Sequence, residues 1–161
     1  MDKINEEEVA QEHSLSPGGA FEMDQKHISV AMRGGEKLRT GPWEGGPPFD
    51  VELTTIPPGM KNYPYHAHAS WWEYYIILSG KGKFRDENNE YHEIGAGDHL
   101  QCSTNQAHQI LNDGTEDLIY YIIASNSEVE ITHYPDTGKT LILPAGKLGY
   151  INEADYYEGE E

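Results

Sequence analysis

From Phe49 onward the chain is a succession of short strand-like runs with no long helical pattern between them. They read FDVELTTI, WEYYIILS, GKFRD, EYHEI, DHLQC, HQILN, LIYYIIAS, EVEITHY and TLIL. Turn signals separate them at Pro57-Pro58-Gly59, Ser79-Gly80, Asp86 to Asn89, Gly95 to Asp98, Asn112 to Thr115 and Pro135 to Gly138. Strands this short, returning about every 8 to 12 residues, indicate an all-β sandwich or barrel. Closure or double-sheet packing also hides the sheet edges, which otherwise recruit foreign strands.

Before Phe49 the rhythm is absent. Residues 1–27 read as an irregular acidic arm, partly disordered, with a short helix around Glu6 to Gln11 ended by Ser16-Pro17-Gly18-Gly19. Residues 28–48, rich in glycine and proline, read as an irregular or edge-strand wrap around the core. The whole of 28–150 is expected to be a single barrel domain, because 161 residues suit one core. Residues 151–161 form an acidic tail, read as solvated like the acidic start of the chain.

A formal charge of −17 excludes nucleic acid and anionic membrane as main partners, since both need clustered cations. No run is apolar enough to span a bilayer, and the amino terminus is acidic where a secretory signal is basic. The lone Cys102 has no internal disulfide partner and is expected to pack as a small apolar residue. These features together lead to the expectation of a cytoplasmic protein, with a homodimer as the default assembly.

The stretch HAHASWWEYYIILSG, His66 to Gly80, carries the chemistry. Residues i and i+2 of a strand share a face, so His66 and His68 project together. Glu73 follows at an odd interval, so a bend or bulge at Ala69-Ser70 must reset the parity. Beyond it Glu73, Tyr75 and Ile77 share one face, and Tyr74, Ile76 and Leu78 the other. Both faces are apolar, so the strand is expected to be central and buried. Two imidazoles and a carboxylate are costly there unless a divalent cation compensates them.

A second block, GDHLQCSTNQAHQILN from Gly97 to Asn112, places His108, Ile110 and Asn112 on one face by period two. The pattern His66-x-His68-x4-Glu73-x6-Gly80 resembles the first motif of the cupin family, within 59–80. Gly97-Asp98, His108 and Asn112 are similar to the second, within 97–112. Ser103 and Asn105 stand where that family usually carries proline and glycine, and asparagine tolerates the left-handed backbone a glycine would take there. HYPDTGK, His133 to Lys139, is similar to a hairpin that follows the barrel in some single-domain cupins.

The resemblance implies a double-stranded β-helix, a jelly-roll barrel, holding one divalent transition metal on His66, His68, Glu73 and His108. Mixed nitrogen and oxygen ligation suits iron, manganese, zinc, nickel or cobalt. Three neutral imidazoles and one carboxylate leave a net charge of about +1 and two open octahedral positions. Such a site suits a small anionic or chelating oxygen donor such as a carboxylate, a catecholate or the enediolate formed from a sugar or sugar phosphate. The expected function is a metal-dependent isomerase; the alternatives are a dioxygenase and a non-enzymatic binding or sensing module. Tyr75, Tyr63 and His99 are the candidates for proton transfer. Lys61, Lys81, Lys83, Arg85 and Lys139 are the candidate anion-binding groups, while His13, His27, His92 and His133 are read as ordinary.

Overall fold

The computed structural model describes residues 1–34 and 46–160. Its strands are β1 (Glu12–Leu15), β2 (Glu22–His27), β3 (Phe49–Ile56), β4 (Ala67–His68), β5 (Glu73–Ser79), β6 (Lys81–Arg85) and β7 (Tyr91–Gly95). They continue with β8 (His99–Cys102), β9 (Gln109–Leu111), β10 (Leu118–Ser125), β11 (Glu130–Tyr134), β12 (Lys139–Leu143) and β13 (Lys147–Gly149). One helical turn, α1 (Ile28–Ala31), follows β2. The chain is all-β in the described residues, and its architecture is the double-stranded β-helix.

One wall is a six-stranded sheet in the order β1-β2-β3-β10-β5-β8. The other combines β13-β12-β11-β4 with β7-β6-β9. The segment before β4 joins these two smaller sheets, because Lys61 bridges Leu111 and His66 bridges His108. Every strand pair in the named sheets is antiparallel, as short turns between successive strands require. The core lies between the walls. Ile56, Tyr75, Ile77, Cys102, Leu118, Tyr120 and Ile122 from the large sheet meet Ile94 and Ile110 from the three-stranded one. Cys102 packs there as a small apolar group.

Three expectations need correction. The segment 1–27 is not an irregular arm throughout: β1 and β2 form a hairpin that extends the large sheet by pairing β2 with β3. Only a 3-10 turn at Glu6–Glu8, capped by the Asn5 side chain, stands for the short acidic helix. EHSL and EMDQKH carry a single apolar residue each, so hydropathy hid strands whose pairing comes from the backbone. Second, of the bend or bulge expected at Ala69-Ser70 the structure has the bend, so His66 to Ser79 is not one bulged strand. β4 belongs to the four-stranded sheet and β5 to the six-stranded one, so the parity resets where the chain changes sheets. Third, β5 is central between β10 and β8 but buried on one face only, with Tyr74 and Leu78 exposed on the other.

The glycine- and proline-rich wrap is described only at its two ends; residues 35–45 lie outside the described residues. The HYPDTGK stretch is the β11–β12 hairpin, with Tyr134 paired to Lys139. Residues 151–160 contain no strand and are exposed. No helix among the described residues is long and apolar enough to cross a membrane.

Candidate metal centre

Antiparallel pairing fixes what faces the interior. Residues directly opposite one another share a face, so three inward rows cross the large sheet. The first runs Asp50, Ala124, Glu73, Cys102. The second runs His27, Glu52, Ile122, Tyr75, Leu100, and the third Gln25, Thr54, Tyr120, Ile77. From the opposite wall come His68, paired with Thr132, and the mutually bridged His66 and His108. Backbone hydrogen bonds lock that last pair in both directions, His108 N to His66 O at 2.8 Å and His66 N to His108 O at 3.2 Å.

The four side chains converge, and all are buried. Ring centroids lie 4.8 Å apart for His66 and His68, and 4.7 Å apart for His66 and His108. The Glu73 carboxylate is 2.6 Å from His108 Nε2 through Oε2 and 3.5 Å from His68 Nε2 through Oε1. Ligand atoms of His66, His68 and Glu73 all lie within 4.8 Å of one another.

Each imidazole has its outer nitrogen tied. His66 Nδ1 donates to Pro64 O at 2.7 Å, and His108 Nδ1 to Gln106 O at 2.9 Å. His68 Nδ1 donates to Glu130 Oε1 at 3.1 Å. Donation through Nδ1 fixes the tautomer and presents the Nε2 lone pair, the arrangement metal-ligating histidines use. Two lone-pair atoms 2.6 Å apart, at His108 and Glu73, repel unless a proton or a cation lies between them. The donor set therefore fits a divalent cation.

Glu130 was not singled out by sequence reasoning, and it organises the corner. Only 1% exposed, it accepts from Ala69 N, Ser70 N and the Ser70 hydroxyl as well as from His68. The bend that carries the chain from β4 to β5 is thus wrapped around a carboxylate. Its signal in the sequence was the EVEITHY alternation, which puts Glu130, Thr132 and Tyr134 on one face. A charge on an otherwise inward face asks for a partner.

Charges follow from these contacts. Burial drives the His66 imidazole down to about 4, helped by His108 and His68. Burial works against protonation of His68 too, but hydrogen bonds to Glu130 and Glu73 outweigh it and push the group up to about 9. Burial would raise Glu73, yet His108 and His68 hold it well below the usual carboxylate range.

Above the cluster is a cavity of about 270 Å³, lined by His66, His68, Glu73, Trp71, Ile122, Thr132 and Tyr134 on one side and Asp50, Glu52, Tyr63, Pro64 and Ala124 on the other. Trp71 stacks on His68 at 5.0 Å. Of the three proton-transfer candidates, only Tyr63 lines the cavity. Tyr75 lies behind the cluster, its hydroxyl donating to Glu73 at 2.9 Å and lying 3.1 Å from His108 Nε2. His99 lies outside the site. It is exposed on β8, against Tyr74, because it pairs with Ile76 on the outward row. The expected cations line no part of the cavity; Lys83 pairs with Asp113 and Arg85 with Asp136.

Asp50 and Glu52 escaped the sequence reading, and His27 was read there as ordinary. FDVELTTI alternates, and its inward set is Asp50, Glu52, Thr54 and Ile56, so the charged half of that face was the available signal. His27 could not be placed from sequence because β2 itself was missed.

Comparison with known proteins agrees with the barrel. Residues 52–124 match the family model of the cupin domain. The segment 52–124 is a cupin domain, and the chain shares its fold with proteins of the cupin superfamily. It resembles a structure from Acidithiobacillus ferrooxidans provisionally assigned as a sugar phosphate isomerase, with 27% identity, a TM-score of 0.74, and coverage of 92% of this chain and 88% of that one. A sugar phosphate isomerase of the cupin superfamily from Silicibacter pomeroyi shares the fold at 16% identity and TM-score 0.73, over 94% of this chain and 92% of that one. A predicted oxalate decarboxylase from Thermotoga maritima does so at 24% identity and TM-score 0.61, over 78% and 99%. No curated protein is significantly similar to the chain in sequence.

Proposed function

We propose that the chain is a metal-dependent enzyme acting on a small oxygen-donor substrate, and that its reaction is isomerisation of a sugar or sugar phosphate by proton transfer beside a carbonyl. One observation carries the reading: three imidazoles with tied Nδ1 atoms converge with one buried carboxylate, and His66, His68 and Glu73 of that cluster line a cavity of about 270 Å³. The provisional assignment of the Acidithiobacillus structure supports the same reaction class.

His66, His68, Glu73 and His108 would hold the ion, one of iron, manganese, zinc, nickel or cobalt. A divalent ion held there supplies polarisation of a carbonyl or hydroxyl oxygen. The protein supplies the rest. Ile122 and Trp71 restrict water around the reacting carbon. Tyr63 accepts a hydrogen bond from Gln25 Nε2 at 2.7 Å, which leaves its own proton to donate into the cavity. Burial and the Glu52 charge raise this phenol, so it acts as a donor and not as a base. Two copies pairing through the outer face of β5, where Tyr74 and Leu78 are exposed, is the proposed assembly.

The test is elemental analysis of protein purified without chelator, followed by incubation with sugars, sugar phosphates and carboxylates. About one transition-metal ion per chain is expected, lost in His108→Ala. Full stoichiometry in that variant would remove His108 from the ligand set. Substrate-dependent oxygen uptake by an iron-loaded protein would favour the dioxygenase reading, and turnover of nothing would favour the binding module.

A further inference from the structure

We infer that Glu52 is the proton-transferring carboxylate of the cavity, facing the metal-ligand cluster across the bound substrate and oriented by His27 and Gln25. The inference deepens the isomerase reading and rests on it.

Placement comes first. Glu52 on β3 and Tyr75 on β5 occupy the same inward row with only Ile122 of β10 between them. Two strand spacings put those backbones about 10 Å apart. Glu73 sits one row over on β5, separated from Asp50 by Ala124, whose single methyl keeps that part of the cavity open. The cavity therefore has a metal-ligand side and, about one small substrate away, a carboxylate side.

The Glu52 carboxylate is held at both oxygens. His27 Nδ1 meets Oε1 at 2.9 Å, and Gln25 Nε2 donates to Oε2 at 3.0 Å. The far nitrogen of His27 faces Glu12 Oε2 at 3.4 Å, so the ring is itself held between two carboxylates. A carboxylate oriented by an imidazole that a further acid fixes in place is the pattern of a positioned base. The other cavity groups are committed elsewhere. Glu73 belongs to the ligand cluster and Asp50 accepts from the Ser29 hydroxyl at 2.9 Å. Tyr63 takes the second Gln25 N–H.

The step balances without an oxidant. Glu52 takes the proton from the carbon beside the substrate carbonyl. The C–H pair becomes the new C=C bond of an enediolate, and the carbonyl π pair moves to its oxygen. Transfer of the hydroxyl proton from one oxygen to the other, with return of the carbon proton from Glu52 to the neighbouring carbon, completes an aldose–ketose exchange.

Two measurements on the metal-loaded full chain test this. The first is solvent deuterium incorporation, by proton NMR, into aldoses and ketoses of three to six carbons, both free and as their phosphates. Wild type should exchange the proton beside the carbonyl, and Glu52→Gln should lose the exchange by about 10²-fold or more while keeping its metal stoichiometry. The second needs no turnover. Glycidol, a three-carbon hydroxylated epoxide, should esterify Glu52, with one carboxylate oxygen opening the ring and the epoxide oxygen taking a proton. Peptide mass mapping should find the adduct at Glu52 in wild type, with metal present or absent. Exchange undiminished in Glu52→Gln, or labelling of other carboxylates that spares Glu52, overturns the inference and leaves the isomerase reading standing. No exchange by wild type with any of these sugars overturns both.

Discussion

His68 is gripped from both sides: Glu130 holds its Nδ1, and Trp71 stacks on its ring, so Nε2 is aimed at the cluster before any ion arrives. The two substitutions at Glu130 separate charge from shape. Glu130→Gln keeps the volume but weakens the partner that makes His68 a better donor, and metal affinity should fall about 10- to 100-fold. Competition against a chromophoric chelator reads that directly, and unchanged affinity would show that Glu130 is only a brace for the bend. Glu130→Ala also leaves the part-buried Ser70 amide without its acceptor, at a cost of about 1–3 kcal/mol, while the Ala69 amide keeps Ile131 O at 2.9 Å. Its urea midpoint should fall well below that of Glu130→Gln.

Two loop positions decide whether the motif strands can turn at all. Gly80 ends β5 with φ 82°, and a Cβ there would stand 2.3 Å from the Asp117 carbonyl oxygen, so both backbone conformation and space demand glycine. Gly80→Ala is expected to lose about 2–4 kcal/mol, from left-handed strain plus overpacking against backbone that cannot yield. Denaturant unfolding checks it, and a loss below 1 kcal/mol would mean that the β5–β6 turn can shift. Asn105 adopts φ 65°, the left-handed conformation expected of it in place of the family's glycine. An odd interval between His68 and Glu73 announced a reset but not its form, because a bulge within one sheet and a crossing between two sheets satisfy the same parity.

Across the whole molecule the formal charge of −17 makes the folded state self-repelling. At about 10 mM ionic strength the screening length, about 30 Å, lets those charges act across a small domain; at 0.1 M it is about 10 Å and only near neighbours are felt. The melting temperature should therefore rise as sodium chloride is raised across that range. Scanning calorimetry on the metal-loaded protein tests this, and a flat or falling profile would mean that pairs such as Arg85–Asp136 contribute more than the repulsion they offset.

The sequence by itself determined the all-β pattern of short strands from Phe49 on and the shared face of His108, Ile110 and Asn112, all of which are buried. These follow from local rules, since strand period, turn chemistry and motif spacing are written in neighbouring residues. Only the tertiary structure decided that β1 and β2 extend the large sheet, that His99 points outward, that Glu130 wraps the bend, and that His27 backs Glu52 at the cavity wall. Each of these depends on which backbone pairs with which across tens of residues. Hydrogen bonds between main chains fix that pairing, and they leave no mark in the hydropathy of the residues they join.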